Sequence, residues 1–154
     1  MLRDGRHFKV IDFASHDGAE YPFWWEDKWT RLLSLCEGTR DEWTEVCARN
    51  KWDDPRVDVI SGYRTPAWNA HLIKQSAAKG THGVASSSQH TQGNAADLRP
   101  RNGRLEEFHL CILHHHEQGG LPMLGGIGFY PESNWVHVDT YLPPDGHLRI
   151  WTGV

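Results

Sequence analysis

The longest periodic pattern of apolar residues lies between positions 27 and 50. Apolar side chains recur there at intervals of three and four residues, which predicts an amphipathic helix with one packed face. Gly38 falls in the middle of this pattern and is expected to bend or split the helix, because glycine disfavours helix interiors. Two further helices are predicted, at about 68–78 and at about 105–118.

Strands are predicted where β-branched and aromatic residues form short runs or alternate with polar ones. Residues 57–61 form such a run and end at the turn Ser61-Gly62-Tyr63-Arg64-Thr65-Pro66. The glycine-rich segment 125–130 and the alternating segment 135–140 are separated by a short turn, which predicts a hairpin. Further strands are predicted at 8–13, as an edge strand or docking arm, at 95–98 and at 148–152.

This succession predicts one α+β domain spanning residues 1–154, in which helices flank a mostly antiparallel central sheet. No internal repeat, low-complexity tract or linker interrupts the sequence. A chain of 154 residues is long enough to bury a core, and 38% hydrophobic with 23% charged residues is typical of a globular protein.

Charge and cysteine content exclude several classes of function. The net charge of −4, with scattered lysine and arginine, argues against nucleic acid as a partner. No apolar run of about eighteen residues and no basic-then-apolar start is present, so neither a transmembrane helix nor a signal peptide is predicted. Cys36, Cys47 and Cys111 lack CxxC spacing, so we expect buried free thiols rather than disulfides or a cysteine-rich zinc site.

An imidazole and a carboxylate stand seven residues apart within Ser88-Gln89-His90-Thr91-Gln92-Gly93-Asn94-Ala95-Ala96-Asp97. A spacing of seven keeps two side chains on one helical face less neatly than three or four would, so His90 and Asp97 are expected to converge from a loop and the following strand. His137, in the predicted strand near the C-terminus, points to the same side as Asp139. Together, two neutral imidazoles and one carboxylate would leave the fourth tetrahedral position of Zn²⁺ open, as in catalytic zinc sites.

The same segment resembles a known family. Ser88, His90, Gly93, Ala95 and Asp97 fill the SxHxxGxAxD signature of the zinc D-alanyl-D-alanine peptidases, and Trp-Val-His-Val-Asp at 135–139 is similar to that family's third-ligand strand. That family also resembles VanX dipeptidases, phage L-alanyl-D-glutamate endolysins and the hedgehog signalling domain. The resemblance spans about 8–151 and implies a hedgehog-like peptidase fold and one bound Zn²⁺. It also implies hydrolysis of peptidoglycan stem peptides, as a carboxypeptidase or an endopeptidase.

Arg64, Ser88 and Tyr130 are candidate substrate-binding residues. The planar guanidinium of Arg64 suits a substrate carboxylate or a developing oxyanion, although a surface ion pair explains it equally well from the sequence alone. The resembled family has a Ser-Gly-Tyr-Arg segment at this point, which implies a catalytic or binding role for Arg64. Ser88 is expected to bond a substrate carboxylate or the loop backbone rather than act as a nucleophile, because a metal-bound His90 is not free to act as its base.

The general base is predicted to be Asp139, with Glu132 as the alternative. Asp139 lies two residues from His137 on the same strand face, whereas Glu132 lies across a turn. Members of the family often carry an acidic residue three positions before the third ligand, where this chain has Asn134. As a base, Asp139 would be dispensable for metal binding and required for turnover. Alternatively, Asp139 could bond the ring nitrogen of His137 that faces away from the metal and so orient this ligand.

Two rival functions are compatible with the sequence. One is a zinc-containing binding module without hydrolytic activity, as the hedgehog resemblance suggests, and the other is a metal-dependent amidase or dipeptidase on a substrate outside the wall. As a wall peptidase, the protein is expected to be a monomer that acts in the periplasm or outside the cell. It would be either a phage protein made in the cytoplasm and released later, or a processed bacterial chain.

Abundant aromatic and histidine residues offer further candidates. Phe23-Trp24-Trp25 and Trp29 are interpreted as core rather than as a carbohydrate-binding platform. His114-His115-His116 would fan out by about 100° per residue on a helix and so cannot bind one ion together. His82, in a predicted loop at 80–85, is expected to be solvated rather than to bind metal.

Overall fold

The computed structural model describes residues 1–80, 84 and 88–154. His82 and most of the predicted loop at 80–85 lie outside the described residues. The secondary structure comprises α1 (Glu26–Asn50), β1 (Val57–Ser61), α2 (Pro66–Ala78), β2 (Ala95–Pro100), α3 (Leu105–Glu117), β3 (Gly126–Tyr130), β4 (Trp135–Asp139) and β5 (Arg149–Thr152). The predicted α+β class and the three predicted helices are therefore confirmed.

The strands form one mixed sheet in the order β1-β2-β4-β3-β5. β1 pairs with β2, β2 with β4 and β4 with β3, all antiparallel, whereas β5 is parallel to β3. The expected mostly antiparallel sheet is confirmed, with β5 as a parallel edge strand. β3 and β4 form the predicted hairpin, and Asn134 in its turn has a positive φ of 65°, which asparagine tolerates better than most residues.

Two rows of paired residues cross the sheet on one face. The first row runs through Asp97, His137, Gly128 and Trp151. The second row runs through Ala95, Asp139, Gly126 and Arg149. Residues two apart on a strand share a face, so the register places polar groups of β2, β4 and β5 side by side.

The opposite face of the sheet belongs to the hydrophobic core, which α1 and α3 cover. Its central strands contribute the fully buried side chains Ala96, Leu98, Ile127, Val136 and Val138. Between the helices, the ring of Trp43 meets that of Phe108 edge to face, with 5.3 Å between the centroids. One face of the sheet therefore packs into the core, while the other face presents the polar side chains of the two rows.

Two predictions for the N-terminal half are wrong. Residues 8–13 do not form a strand, because Val10–Phe13 is a 3-10 helix whose start is fixed by a 2.7 Å hydrogen bond from Lys9 N–H to the Asp12 carboxylate. Gly38 does not split α1, which is continuous. A Cβ at Gly38 would lie 3.1 Å from Leu121 Cδ2, so glycine there permits close packing rather than a break.

The tryptophan-rich segment divides between core and surface. Trp29 is buried, and Trp25 is half-buried with its ring 5.6 Å from that of Tyr63. Phe23 and Trp24 are 72% and 68% exposed, so the core interpretation is wrong for these two. They precede the first residue of α1, and the helical periodicity on which that interpretation rested does not extend to them.

All three cysteines are free and buried, as predicted, and burial raises the pKa of the Cys111 thiol to about 12. These thiols are therefore protonated and unreactive at neutral pH.

Among the described residues, no helix combines the length and apolar character that crossing a bilayer requires.

Replacing Trp43 with alanine should lower the free energy of unfolding by about 3–5 kcal/mol, because a cavity would remain between α1 and α3. Trp24→Ala is the matched control, since its ring is 68% exposed and its loss should cost less than about 0.5 kcal/mol. Urea denaturation followed by circular dichroism measures both variants. Equal effects would contradict the placement of Trp43 in the core.

Candidate metal centre

His90, Asp97 and His137 converge on the polar face of the sheet. Asp97 Oδ1 lies 3.3 Å from His90 Nε2 and 3.3 Å from His137 Nδ1. These three ligand atoms lie within 4.8 Å of one another, and all three residues are buried. Ligands at about 2.0–2.2 Å from a tetrahedral ion stand roughly 3.3 Å apart, so the spacing suits a small divalent metal.

The backbone brings these residues together as the sequence predicted. Asp97 and His137 are directly paired in the centres of β2 and β4. His90 lies in the turn before β2, and Gly93 in this turn has a φ of +72°, a region that favours glycine. Arg64 N–H donates to the carbonyl of His90 at 3.1 Å, which ties the turn to the end of β1.

Two of the three candidate ligands are oriented by partners behind them. His90 Nδ1 lies 2.7 Å from the carbonyl oxygen of Gly62, which can only accept, so Nδ1 carries the proton and Nε2 faces Asp97 with a lone pair. Asp97 Oδ2 accepts a 3.2 Å hydrogen bond from Arg64 Nη2, so the other oxygen, Oδ1, is the one that faces the two histidines. Such outer partners fix the tautomer and orientation of metal ligands.

Asp139 is the corresponding partner of His137. Asp139 Oδ2 lies 2.8 Å from His137 Nε2, so His137 turns Nδ1 toward Asp97. The second oxygen, Oδ1, accepts from the backbone N–H of Tyr141 at 3.0 Å and pairs with Arg149 Nη2. With 0% exposure and both oxygens engaged, the Asp139 carboxylate is held from three sides.

Electrostatics within the group favour binding of a cation. Burial lowers the pKa of His90 and so favours its neutral form. Burial also acts to lower the pKa of His137, but its contacts with Asp139 and Asp97 outweigh burial and raise it. For Asp97, burial acts to raise the pKa, yet His90 and His137 reverse the effect and lower it, so the carboxylate stays ionised.

A cleft of about 290 Å³ opens over the three candidate ligands. Besides these ligands, its described lining consists of Arg64, Val84, Ser88, Gln89, Tyr130, Trp135, Asp139, Arg149 and Trp151. Aromatic rings and arginines therefore dominate the rim of the cleft. This combination suits a peptide that carries carboxylates.

Ser88 and Tyr130 both lie at the cleft. Ser88 Oγ accepts from the backbone N–H of His90 at 3.1 Å, which matches its predicted contact with the loop backbone. The Tyr130 hydroxyl accepts a 2.8 Å hydrogen bond from Trp151 Nε1, so its own proton is available for another acceptor.

Arg64 and Glu132 have contrasting positions. The Arg64 side chain is 12% exposed and bonds Ser61 Oγ at 3.1 Å as well as Asp97, so it belongs to the site rather than to a surface ion pair. Glu132 is exposed in the β3–β4 turn and does not line the cleft formed by the described residues.

Sequence reasoning missed Arg149 and Trp151. Both lie in the predicted strand at 148–152, but nothing in their spacing links them to His137 or Asp139. The parallel pairing of β5 with β3 makes that link. The available signal was their spacing of two residues, which puts both side chains on one face of a strand, as for His137 and Asp139 in β4.

Comparisons with known proteins place the chain in a family. The M15 peptidase family model described as peptidoglycan L,D-endopeptidase MepK matches residues 34–151. A probable peptidoglycan L,D-endopeptidase MepK from Haemophilus influenzae is 35% identical over 98 residues, which are 64% of this chain and 44% of that protein. Escherichia coli K12 peptidoglycan L,D-endopeptidase MepK is 39% identical over 95 residues, 62% of this chain and 43% of its own length.

The chain spans less than half the length of these curated relatives. No solved structure shows significant similarity to it. The family match covers most of the chain and includes all three candidate ligands, which confirms the resemblance to the zinc D-alanyl-D-alanine peptidases. The chain therefore belongs to the M15 peptidase family, in the group described as peptidoglycan L,D-endopeptidase MepK.

Proposed function

We propose that this chain is a zinc-dependent peptidase that hydrolyses peptide bonds in peptidoglycan. The observation that carries the proposal is the convergence of His90 Nε2, Asp97 Oδ1 and His137 Nδ1 beneath an open cleft. The relatives are named L,D-endopeptidases, so we favour cleavage inside the peptide, between an L and a D centre, over release of a terminal D-alanine. The proposed fold is that of the D-alanyl-D-alanine peptidases, as one domain acting at the cell wall.

The donor set fits Zn²⁺. Two imidazole nitrogens and one carboxylate oxygen are a common catalytic zinc set, with the fourth position left for solvent or substrate. When bound, the ion would polarise the scissile carbonyl and lower the pKa of the attacking water toward about 7. The protein's own contribution is to keep its three donor atoms oriented and free of protons, through Gly62, Arg64 and Asp139.

Arg64 and Tyr130 are proposed to bind the substrate. Arg64 lines the cleft while its guanidinium bonds Asp97 Oδ2 and Ser61 Oγ, and its other N–H groups can bond an oxygen that gains negative charge during hydrolysis. The Tyr130 hydroxyl oxygen already accepts a hydrogen bond from Trp151, so its proton can be donated to a peptide carbonyl. Both residues thus contribute hydrogen bonds rather than proton abstraction.

The contacts of Asp139 favour the orienting role over the predicted role as base. A general base must present a lone pair to the attacking water, but this carboxylate is fully buried and accepts from His137, Tyr141 and Arg149. Its hydrogen bond to His137 Nε2 keeps the proton there and frees Nδ1. Among the described residues, Asp97 and Asp139 are the only carboxylates that line the cleft.

Incubation with purified, cross-linked muropeptides should produce fragments in which one internal peptide bond is cleaved, and mass spectrometry identifies the bond. A zinc chelator should abolish the products, and added Zn²⁺ should restore them. Release of terminal alanine alone would instead indicate a carboxypeptidase. A zinc-loaded protein that leaves every muropeptide unchanged would defeat the proposal and favour a binding module.

Asp97→Ala and His90→Ala should each weaken Zn²⁺ binding by more than about 100-fold, beyond the loss typical of an outer partner. The matched control is Asp58→Ala, which removes an exposed carboxylate paired with Arg101 at 2.8 Å on the same sheet. Competition with a chromophoric chelator measures the affinities. Unchanged affinity in Asp97→Ala would contradict the assignment of the metal site.

Asp139→Ala should weaken Zn²⁺ binding by about 10- to 100-fold, because His137 would lose the acceptor that fixes its tautomer. Turnover should recover in part when Zn²⁺ is saturating. The measurements are chelator competition and kcat at increasing Zn²⁺. Unchanged zinc affinity combined with lost turnover would restore Asp139 as the general base.

A further inference from the structure

β5 reaches the candidate metal centre across β3. In the sheet register, Arg149 stands opposite Gly126, and Gly126 stands opposite Asp139. One pair further along, Trp151 and His137 flank Gly128 in the same way. A residue of β5 and a residue of β4 are thus separated by a strand position that has no side chain.

The two glycines leave the space through which these contacts form. A Cβ at Gly126 would lie 2.6 Å from Arg149 Nη2 and 2.6 Å from Asp139 Oδ2. A Cβ at Gly128 would lie 2.5 Å from Trp151 Nε1. Neither glycine has a positive φ, so the requirement is for space rather than for an unusual backbone conformation.

Arg149 directs its hydrogen bonds to the end of β4. Its Nη2 pairs with Asp139 Oδ1 and reaches the carbonyl oxygen of Tyr141 at 3.4 Å, while its Nε is buried without a partner among the described residues. The guanidinium carbon lies 5.0 Å from the Tyr141 ring centroid and 5.6 Å from that of Trp151. The arginine is therefore held in one orientation, facing a fully buried carboxylate.

His137 is in turn held by residues of both strands. Asp139 bonds its Nε2 at 2.8 Å, and the Trp151 ring packs against the imidazole with 5.1 Å between centroids. Arg149 is the cationic side chain that pairs with the fully buried Asp139 carboxylate, so the position of this carboxylate depends on Arg149. The orientation of His137 depends on Asp139 through this chain of contacts.

We propose that Arg149 is a positioning residue for the metal centre. It holds the Asp139 carboxylate, which holds the proton on His137 Nε2, and His137 Nδ1 is thereby presented to Asp97. The inference rests on the proposed function for the identity of the metal. The orienting contacts themselves involve only residues of this chain.

The test compares Arg149→Gln, Arg149→Lys and Gly126→Ala with the control Arg101→Gln. Arg101 pairs with Asp58 on the exposed part of the sheet, so its loss removes an arginine–aspartate pair away from the centre. Zn²⁺ affinity is measured by chelator competition, and the tautomer of neutral His137 is read from ring ¹⁵N shifts in metal-free protein. Thermal melting establishes that each variant is folded.

Arg149→Gln should weaken Zn²⁺ binding by about 10- to 100-fold and shift His137 away from the Nε2–H tautomer. Arg149→Lys should recover part of both properties. Gly126→Ala should weaken binding in the same direction although the arginine remains, because the added Cβ separates Arg149 from Asp139. The Arg101 variant should match the unmodified protein.

Folded Arg149→Lys and Gly126→Ala variants with unchanged zinc affinity and an unchanged His137 tautomer would overturn the inference, whether or not Arg149→Gln folds. A raised KM with intact zinc affinity would also overturn it and assign Arg149 to substrate binding. A protein that binds zinc but cleaves no muropeptide would defeat the proposed function alone, because zinc affinity and the His137 tautomer are both measured without hydrolysis.

Discussion

The antiparallel pairing of β2 with β4 is the constraint on which the site depends. It sets Asp97 opposite His137, and a slip of one residue would turn both side chains to the other face of the sheet. The register is secured by the buried face, where Leu98 and Val136 pack beneath the helices. Hydrophobic packing on one side of the sheet therefore fixes the relative positions of the candidate metal ligands on the other.

The convergence of the candidate ligands was predictable from local patterns, whereas their supporting partners were not. Alternation in β4 showed that His137 and Asp139 share a face, and Gly93 marked the turn that carries His90. Arg149 depends instead on which strand β5 joins and in which direction, and neighbouring residues do not encode such long-range pairing. The contacts of Asp139 are only partly local. His137 and the backbone of Tyr141 are each two residues away, whereas Arg149 reaches it from β5.

Residues ahead of the family match also support the turn that carries His90. The hydroxyl of Tyr21 donates to the carbonyl of Gly93 at 2.7 Å, and Lys28 Nζ donates to that of Gln92 at 2.8 Å. The ring of Trp25 fills the space beside Gly93, where a Cβ would lie only 2.6 Å from it. The N-terminal segment, though outside the region shared with the family, thus forms part of the support on which His90 rests.

The partners behind the ligands also determine the charge of the centre. Around the site, the two arginines, Arg64 and Arg149, balance the two carboxylates, Asp97 and Asp139, so their formal charges cancel. A divalent cation held there would keep its whole double charge, in a protein whose net charge is −4. The cleft would then be a positive region on a protein of negative net charge, able to draw in a peptide by its carboxylates before any specific contact is made.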